Sequence, residues 1–397
     1  MKEYQLSQLI EIKHGYAFDG EHIVTEDNGI ILVTPGNFKI GGGFQEEKCK
    51  FFTGEIPEEY ILSAGDYIVT MTDLSKTIDT LGYSAIVPQS KNRTYLHNQR
   101  IGLIKFISDE CDPDYIYYLM QTHKYQRAIA NTSTGATVHH TSPSKIREYK
   151  FSAPDVQIQR RIAKTLRAYD DLIENNQKQI KLLEEAAQRL YKEWFVDLHF
   201  PGYENTPIID GIPQEWRRER LVDIADIVMG QSPNSEFYNQ NKEGLPFHQG
   251  VGSYGERFAI DETYSTQYTR IAEAGSILFS VRAPVGRLNI TKRKVVIGRG
   301  LSAINHKRQL QSYLFYMLKE RFFEDNLIGN GAIFASISKD ELLNQIFVIP
   351  SEDVEKKFND IVSAIDKKIG VLDDQIKDLK EARDRLLPKL MSGELEV

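Results

Sequence analysis

The residues best suited to nucleophilic or metal chemistry are two cysteines, Cys49 and Cys111, and an adjacent histidine pair, His139-His140, and their spacing supports neither chemistry. Two cysteines are too few for a disulfide framework or a cysteine zinc site, so both read as buried reduced thiols. Adjacent histidines in an extended segment point to opposite sides, whereas a metal needs convergent ligands. No Gly-Lys-Ser/Thr is present to cradle nucleotide phosphates, and no His-Glu-x-x-His to hold a catalytic zinc. No two prolines are adjacent, which removes the Asn/Asp-Pro-Pro-aromatic motif of amino-methyltransferases. Asp and Lys are too common for scattered pairs to make a nuclease centre. The weight moves from catalysis to binding.

Cations are the next candidates. The net charge of −7 argues against indiscriminate binding to nucleic acid, but local distribution decides affinity. No acid lies between Glu273 and Glu320, a stretch that holds Arg282, Arg287, Lys292, Arg293, Lys294, Arg299, Lys307, Arg308 and Lys319. Weaker acid-free windows run from Asp79 to Asp109 and from Asp114 to Glu148. Such windows read as phosphate-facing surface or, alternatively, as ordinary solvated faces.

The elements that position these residues come in two copies. Gly135-Ala136 recurs as Gly331-Ala332, and the same offset of 196 pairs Ser142 with Ser338, Phe151 with Phe347, Pro154 with Pro350, Asp170 with Asp366 and Arg189-Leu190 with Arg385-Leu386. Upstream the offset drifts: Ala64-Gly65-Asp66 parallels Ala274-Gly275-Ser276, and Gly15 parallels Gly230. Each copy opens with short β-branched or aromatic runs between Gly-rich turns, such as Ile30 to Thr34, Tyr67 to Met71, Ile277 to Val281 and Val295 to Ile297. These predict twisted sheets. Tyr115 to Ala130 and Tyr313 to Asn326 have helical spacing and read as packing helices.

Each copy ends in a long helix. Ile162, Leu166, Tyr169, Ile173, Asn176, Ile180, Leu183, Ala187 and Leu190 alternate spacings of four and three, and Phe358, Val362, Ile365, Ile369, Leu372, Ile376, Leu379, Arg383 and Leu386 do the same. Matched seams predict that the two helices pack on each other as a coiled coil. Asn176 either fixes register or sits at a solvated edge. The helix breakers between Phe200 and Pro213 predict a linker that lets the chain reverse.

The fold expected is α+β: two duplicated mixed α/β domains separated by two long antiparallel coiled-coil helices, related by a pseudo-two-fold. The boundaries expected are 1–153 for the first domain, 154–199 for the first spacer helix, 200–214 for the linker, 215–350 for the second domain and 351–397 for the second spacer helix. No apolar run is long enough to span a bilayer, and the charged, amphipathic N-terminus does not look like a secretory signal. The cytoplasm is the expected location.

Several segments resemble the specificity subunits of type I restriction-modification systems. They are Leu-Ser-Ala-Gly-Asp-Tyr-Ile at 62 to 68, Glu-Ala-Gly-Ser-Ile-Leu at 273 to 278, the Gly135-Ala136-Thr137 loop before a strand ending at Pro154, and Gln159-Arg160-Arg161-Ile162-Ala163. The most specific pieces are Glu185 through Asp197 and Arg385 through Glu394. The chain departs from the family's usual Pro-Pro and Glu-Gln before and at the helix start, having Ala153-Pro154 with Ile158-Gln159 and Ile349-Pro350 with Val354-Glu355.

The resemblance implies two target recognition domains, each reading one half of a bipartite site in double-stranded DNA, with the helices setting the unread gap. It implies two methyltransferase subunits that carry S-adenosylmethionine and methylate adenine N6, and ATP-dependent restriction endonuclease subunits with Mg. It leaves this chain non-catalytic, without cofactor, metal or membrane attachment.

Base reading requires donors and acceptors on short fixed loops, with cations on phosphates. In the first domain the candidates are Thr72, Lys76, Thr77, His97, Asn98, Gln99, Arg100, Thr134, Gly135, Thr137 and His140. In the second they are Gln249, Gly250, Arg282, Arg287, Arg299, Asn330, Gly331 and Ser336. The competing readings are a structural adaptor that docks proteins through its helices, and a stand-alone nuclease or methyltransferase with an unfamiliar site.

Overall fold

The computed structural model of the chain describes residues 1–75, 77–135, 137–322 and 336–396. They form two units: residues 1–175 with 375–397, and residues 176–374. Each unit holds one mixed domain and a segment of each long helix.

In the first unit, strand Ile30–Val33 lies parallel to Thr94–His97 at the centre of a five-stranded sheet, flanked by Lys50–Phe52 and Ile23–Val24 on one side and Ile61–Leu62 on the other. A four-stranded antiparallel sheet runs Ile10–His14, Ile101–Phe106, Tyr67–Thr70, Ser84–Ile86. Lys2–Gln5 pairs with Lys150–Ala153, the strand that leads into the first long helix. β-branched and aromatic residues fill these strands because both faces are covered: Ile31, Val33, Ile68 and Ile101 are fully buried in one apolar cluster.

The second unit repeats this plan strand for strand. Leu245–His248 lies parallel to Val295–Ile297, flanked by Tyr264–Ser265, Tyr238–Asn239 and Ile271–Ala272. Its antiparallel sheet runs Ala225–Met229, Leu301–His306, Ile277–Ser280, Leu288–Ile290, and Arg217–Arg220 pairs with Ile346–Ile349. Strand order is the same in both copies once chain order is aligned. Of the β runs expected from sequence, Tyr67–Thr70 and Ile277–Ser280 are equivalent strands, whereas Ile30–Val33 corresponds to Leu245–His248 and Val295–Ile297 to Thr94–His97.

The first long helix spans Val156–Tyr191 and continues through a π turn, Lys192–Val196; the second spans Glu352–Ser392. Pro154 ends the preceding strand, and the Asp155 carboxylate accepts from the backbone N–H groups of Gln157 and Ile158 at 3.0 and 3.1 Å, capping the first helix. At the next turn, buried Gln159 accepts from the Asp112 N–H at 3.0 Å and donates to the Pro154 carbonyl at 2.9 Å. Its counterpart under the offset of 196 is Glu355, also buried, which meets His306 at 3.0 Å and Arg308. His306 Nδ1 accepts from the Arg308 N–H at 3.1 Å, and its Nε2 lies 3.0 Å from the Glu355 carboxylate without the geometry of a hydrogen bond. Gln159 and Glu355 thus give two different polar locks for the same junction.

The heptad seams face inward. Ile162, Leu166, Ile173, Ile180, Ala187, Phe358, Val362, Ile369, Leu372 and Ile376 are buried, and so is Asn176. In the first unit Arg383 of the second helix donates to Asp170 of the first at 2.7 Å. In the second unit Tyr191 and Trp194 pack on Phe358, with ring centroids 5.7 and 5.8 Å apart. Within the first unit Ile162, Ala163 and Leu166, before Asp170, share a cluster with Leu386, Leu387, Leu390 and Met391, beyond Arg383, so the helices run antiparallel there.

Three expectations need correction. Tyr115 to Ala130 is two helices, Pro113–Leu119 and His123–Asn131, because Thr122 starts a new one by capping Tyr125 N–H at 3.3 Å. Cys111 is buried but Cys49 is only half-buried. Segment 200–214 holds an antiparallel pair, Ile208–Ile209 with Ile212–Pro213, and its first residue, Phe200, is buried against Trp216 with centroids 4.8 Å apart. Of the part of Tyr313 to Asn326 that is described, Gln311–Phe322 is helical and packs as expected, with Tyr313 and Tyr316 fully buried.

Phe358 is the best test of this core, being fully buried among Tyr191, Trp194, Phe195 and Tyr313. Phe358→Ala is expected to lower stability by about 3–5 kcal/mol, read from chemical denaturation. A loss under about 1 kcal/mol would place the helix junction outside the cooperative core.

Candidate nucleic-acid interface

One backbone seam recurs at the same edge of both domains. In the first, Tyr16 N–H donates to the His97 carbonyl at 2.8 Å, Gln99 N–H to the Tyr16 carbonyl at 2.9 Å, Met71 N–H to the Arg100 carbonyl at 2.9 Å, and Thr141 N–H to the Met71 carbonyl at 3.0 Å. In the second, Gln231 N–H donates to the Ile297 carbonyl at 2.9 Å, Val281 N–H to the Gly300 carbonyl at 2.9 Å, and Ile337 N–H to the Val281 carbonyl at 3.0 Å. The same close approach explains the matched glycines. A Cβ on Gly15 would lie 2.2 Å from the Asn98 oxygen, and one on Gly230 would lie 2.1 Å from the Gly298 oxygen.

The seam gathers three loops that are distant in sequence. It makes Gln99 equivalent to Arg299, and Arg100 to Gly300. Thr72–Asp73 pairs with His139–His140 in one domain, and Arg282 bridges Ser336 in the other, so Thr72 matches Arg282 and His140 matches Ser336. In the second domain Gln249 and Gly250 join the edge: Gly300 N–H donates to the Gln249 carbonyl at 3.2 Å, and the Gln249 amide oxygen accepts from Ser232 Oγ at 2.9 Å. Ser232 Oγ also accepts from the Arg299 N–H at 3.3 Å, which fixes the backbone beneath that guanidinium.

The candidates divide by exposure. Gln99, Arg100, Thr77, Thr134, Gly135, Thr137, His140, Gln249, Arg282, Arg287, Arg299 and Ser336 are exposed, and Gly250 is half-buried. Thr134 and His140 bridge each other at 3.0 and 2.9 Å, a turn that Gly135 makes possible at φ +105°. Thr77 Oγ1 is held by Asp79 at 2.6 Å. Lys76, Asn330 and Gly331 lie outside the described residues.

Thr72, His97 and Asn98 are corrections. All three are buried, and they build the edge instead of presenting it. Thr72 Oγ1 lies 3.1 Å from His140 Nδ1 and orients that ring. His97 Nε2 donates to the Ile101 carbonyl at 2.8 Å, and Asn98 Oδ1 accepts from the Arg100 N–H at 3.1 Å; both close the turn that projects Gln99 and Arg100. A run of polar residues cannot reveal which of its members turn inward. The His139-His140 pair belongs to the Thr72–Asp73 ribbon, and no group of three or more metal-ligating side chains occurs among the described residues.

Asp73 has a role that the sequence did not suggest. Its buried carboxylate accepts from the N–H groups of Ser75, Thr80 and Leu81 at 2.6, 2.5 and 3.0 Å and from Thr80 Oγ1 at 2.8 Å. It therefore shapes the 74–81 loop. Burial alone would raise its pKa, but the donors of Ser75 and Thr80 prevail and hold it below the usual carboxylate range.

The long acid-free stretch is not a free cationic face. Lys292 pairs with Asp373 and Asp374, Arg293 with Asp261, Lys294 with Glu273, and Arg308 with Glu352 and Glu355. Folding brings acids against these four of its nine cations. Among the described residues Arg282 and Arg299, like Arg100 in the first domain, form no ion pair, and all three stand on the seam edge.

A family model for the type I restriction modification DNA specificity domain matches the chain twice, over residues 1–185 and 213–381. The chain belongs to this family of specificity subunits, non-catalytic chains that recognise DNA sequence. It is 29% identical over 300 residues to the type I restriction enzyme MjaIX specificity subunit of Methanocaldococcus jannaschii, covering 72% of this chain and 69% of that one. It is 22% identical over 360 residues to the HindI specificity subunit of Haemophilus influenzae, covering 71% and 77%. The S subunit of a type I restriction-modification system from M. genitalium has the same fold, with a TM-score of 0.63 at 16% identity over 98% of this chain and 95% of that one. No helix among the described residues is long and apolar enough to cross a membrane.

His97 offers a direct check on the edge. Burial, opposed by its bond to the Ile101 carbonyl, pushes its pKa down from 6.5 to about 4. A folded-state pKa below the unfolded one means that the unfolded ring takes up a proton first as pH falls, so stability drops between pH 6.5 and about 4 and levels off below. His97→Gln is expected to remove that part of the denaturation-versus-pH curve. An unchanged curve would mean that His97 titrates freely at the surface.

Proposed function

We propose that each recognition domain reads one half of a bipartite, gapped site in double-stranded DNA through its seam edge, and that the two paired helices set the number of unread base pairs. The domains so defined are residues 1–153 and 215–350, with helical spacers at 154–199 and 351–397 joined through 200–214. The observation that carries this reading is the repeated seam. Two copies of one rigid backbone edge expose different side chains at equivalent positions, Gln99 against Arg299 and His140 against Ser336, as two half-sites of different sequence require.

On the first edge Gln99, Arg100, Thr134, Thr137 and His140 meet bases or phosphates, with Lys76 and Thr77 on the neighbouring loop. On the second edge Gln249, Arg282, Arg287, Arg299 and Ser336 do so, with Gly250, Asn330 and Gly331 allowing close approach or adding contacts. Guanidinium groups suit guanine O6 and N7, and amides suit adenine N6 and N7. As an S subunit the chain works on DNA in complex with other restriction-modification subunits. Two methyltransferase subunits holding S-adenosylmethionine would transfer methyl to adenine N6, and ATP-dependent endonuclease subunits with Mg would cleave. This chain supplies the address and no cofactor.

Single-molecule sequencing that maps N6-methyladenine, with and without this chain beside an active methyltransferase partner, is expected to show a two-part gapped motif that disappears on deletion. Methylation unchanged by deletion would overturn the reading. In the assembled complex, Arg299→Ala and Arg287→Ala are expected to weaken binding, and at least one to alter preference in a single half-site. Wild-type affinity should fall steeply with salt, by a slope of about 0.9 in log units for each phosphate neutralised. Normal recognition by both folded variants would remove the second edge from the interface.

A further inference from the structure

The seam edge of the first domain has a member that neither the charge pattern nor the polar loops pointed to. Tyr16 is 42% exposed, and among the described residues of the first unit it is the only aromatic ring among the exposed large apolar side chains. It is also part of the seam. Its N–H is held by His97 and its carbonyl by Gln99, so it stands one hydrogen bond from the exposed amide expected to read a base. Gly15 before it permits the close backbone approach that fixes this register.

The ring is propped from behind. Phe18 packs edge-on with centroids 5.1 Å apart, and Tyr60 packs at 5.1 Å with the Lys13 ammonium 4.6 Å above its own ring. These contacts hold the covered side of the ring, and its exposed side presents apolar surface at the seam edge. Its equivalent in the second domain is Gln231, so the seam itself does not need an aromatic residue there.

We propose that Tyr16 is a specificity-determining residue of the first half-site, packing its ring on the C5-methyl group of a thymine beside the base that Gln99 meets. The inference rests on the DNA-reading function given above and adds the base class. The thymine methyl is the one apolar group on the major-groove face of the bases, and it is the natural partner of a side chain that brings apolar surface to a polar edge.

The test uses the complex of this chain with its methyltransferase partner, and duplexes carrying the gapped motif that methylation mapping defines. Each thymine of the motif is replaced in turn by uracil, which removes only the methyl group. One replacement, in the half-site affected by first-domain variants, is expected to weaken wild-type binding about fourfold, as one buried methyl would. Tyr16→Gln, which places the second domain's own residue at this position, should bind thymine and uracil forms equally; Tyr16→Phe should behave as wild type. Uracil sensitivity that persists in Tyr16→Gln, a wild-type complex insensitive at every thymine, or a half-site without thymine would overturn the proposal. An intact gapped motif accompanying any of these would leave the DNA-reading function standing, whereas absence of any motif would bring down both.

Discussion

Asp170 joins three segments that the sequence keeps far apart. It lies on the first long helix, accepts from Tyr118 Oη of the recognition domain at 2.6 Å, and accepts from Arg383 of the second long helix at 2.7 Å. The duplication repeats the tyrosine but not the helix-borne arginine: Asp366 accepts from Tyr316 Oη at 3.2 Å and from Arg257 of the recognition domain at 2.6 Å, the latter guanidinium lying 3.7 Å over the Phe315 ring. Each carboxylate is largely removed from water, and removing either cationic partner would leave a charge without compensation, a change that costs more than the pair itself contributes. The value of such a constraint is directional. Apolar packing tolerates sliding, but a carboxylate with two fixed donors allows one register of domain on helix.

That register matters because the seam edges proposed to read DNA are built into the backbone of the domains. The seam is made of backbone hydrogen bonds, whose geometry is independent of side-chain identity, so side chains at Gln99 and Arg299 or at His140 and Ser336 can differ without disturbing the frame. Buried polar residues do the shaping. His97, Asn98 and Asp73 spend their hydrogen-bonding capacity on turns, and the exposed neighbours inherit fixed positions. Fixed donors suit base recognition because little entropy is lost when they bind.

Much of the architecture was legible in the sequence. The offset of 196 announced a duplication, and strand order then proved identical in the two copies. The heptad seams announced paired helices because an a/d stripe on a helix has no use unless another helix covers it. Local signals also placed the loops: the glycines at 15, 135 and 230 stand where a Cβ would collide with backbone. The readings that failed were those requiring knowledge of what comes near in space. His97 and Asn98 looked like readers because they are polar and sit beside Gln99, yet the turn points them inward.

The chain by itself determined that there are two like domains, two long helices and no familiar catalytic motif, since periodicity, spacing and composition are properties of neighbours along the chain. Only the tertiary structure decided which cations are available. Arg293 and Lys292 belong to an acid-free stretch of sequence, but Asp261 lies 3.1 Å from one and Asp373 2.6 Å from the other once the chain has folded. Among the described residues, Arg282 and Arg299 form no ion pair on the seam edge. Coulomb energy depends on distance in space, and a linear sequence does not contain that distance.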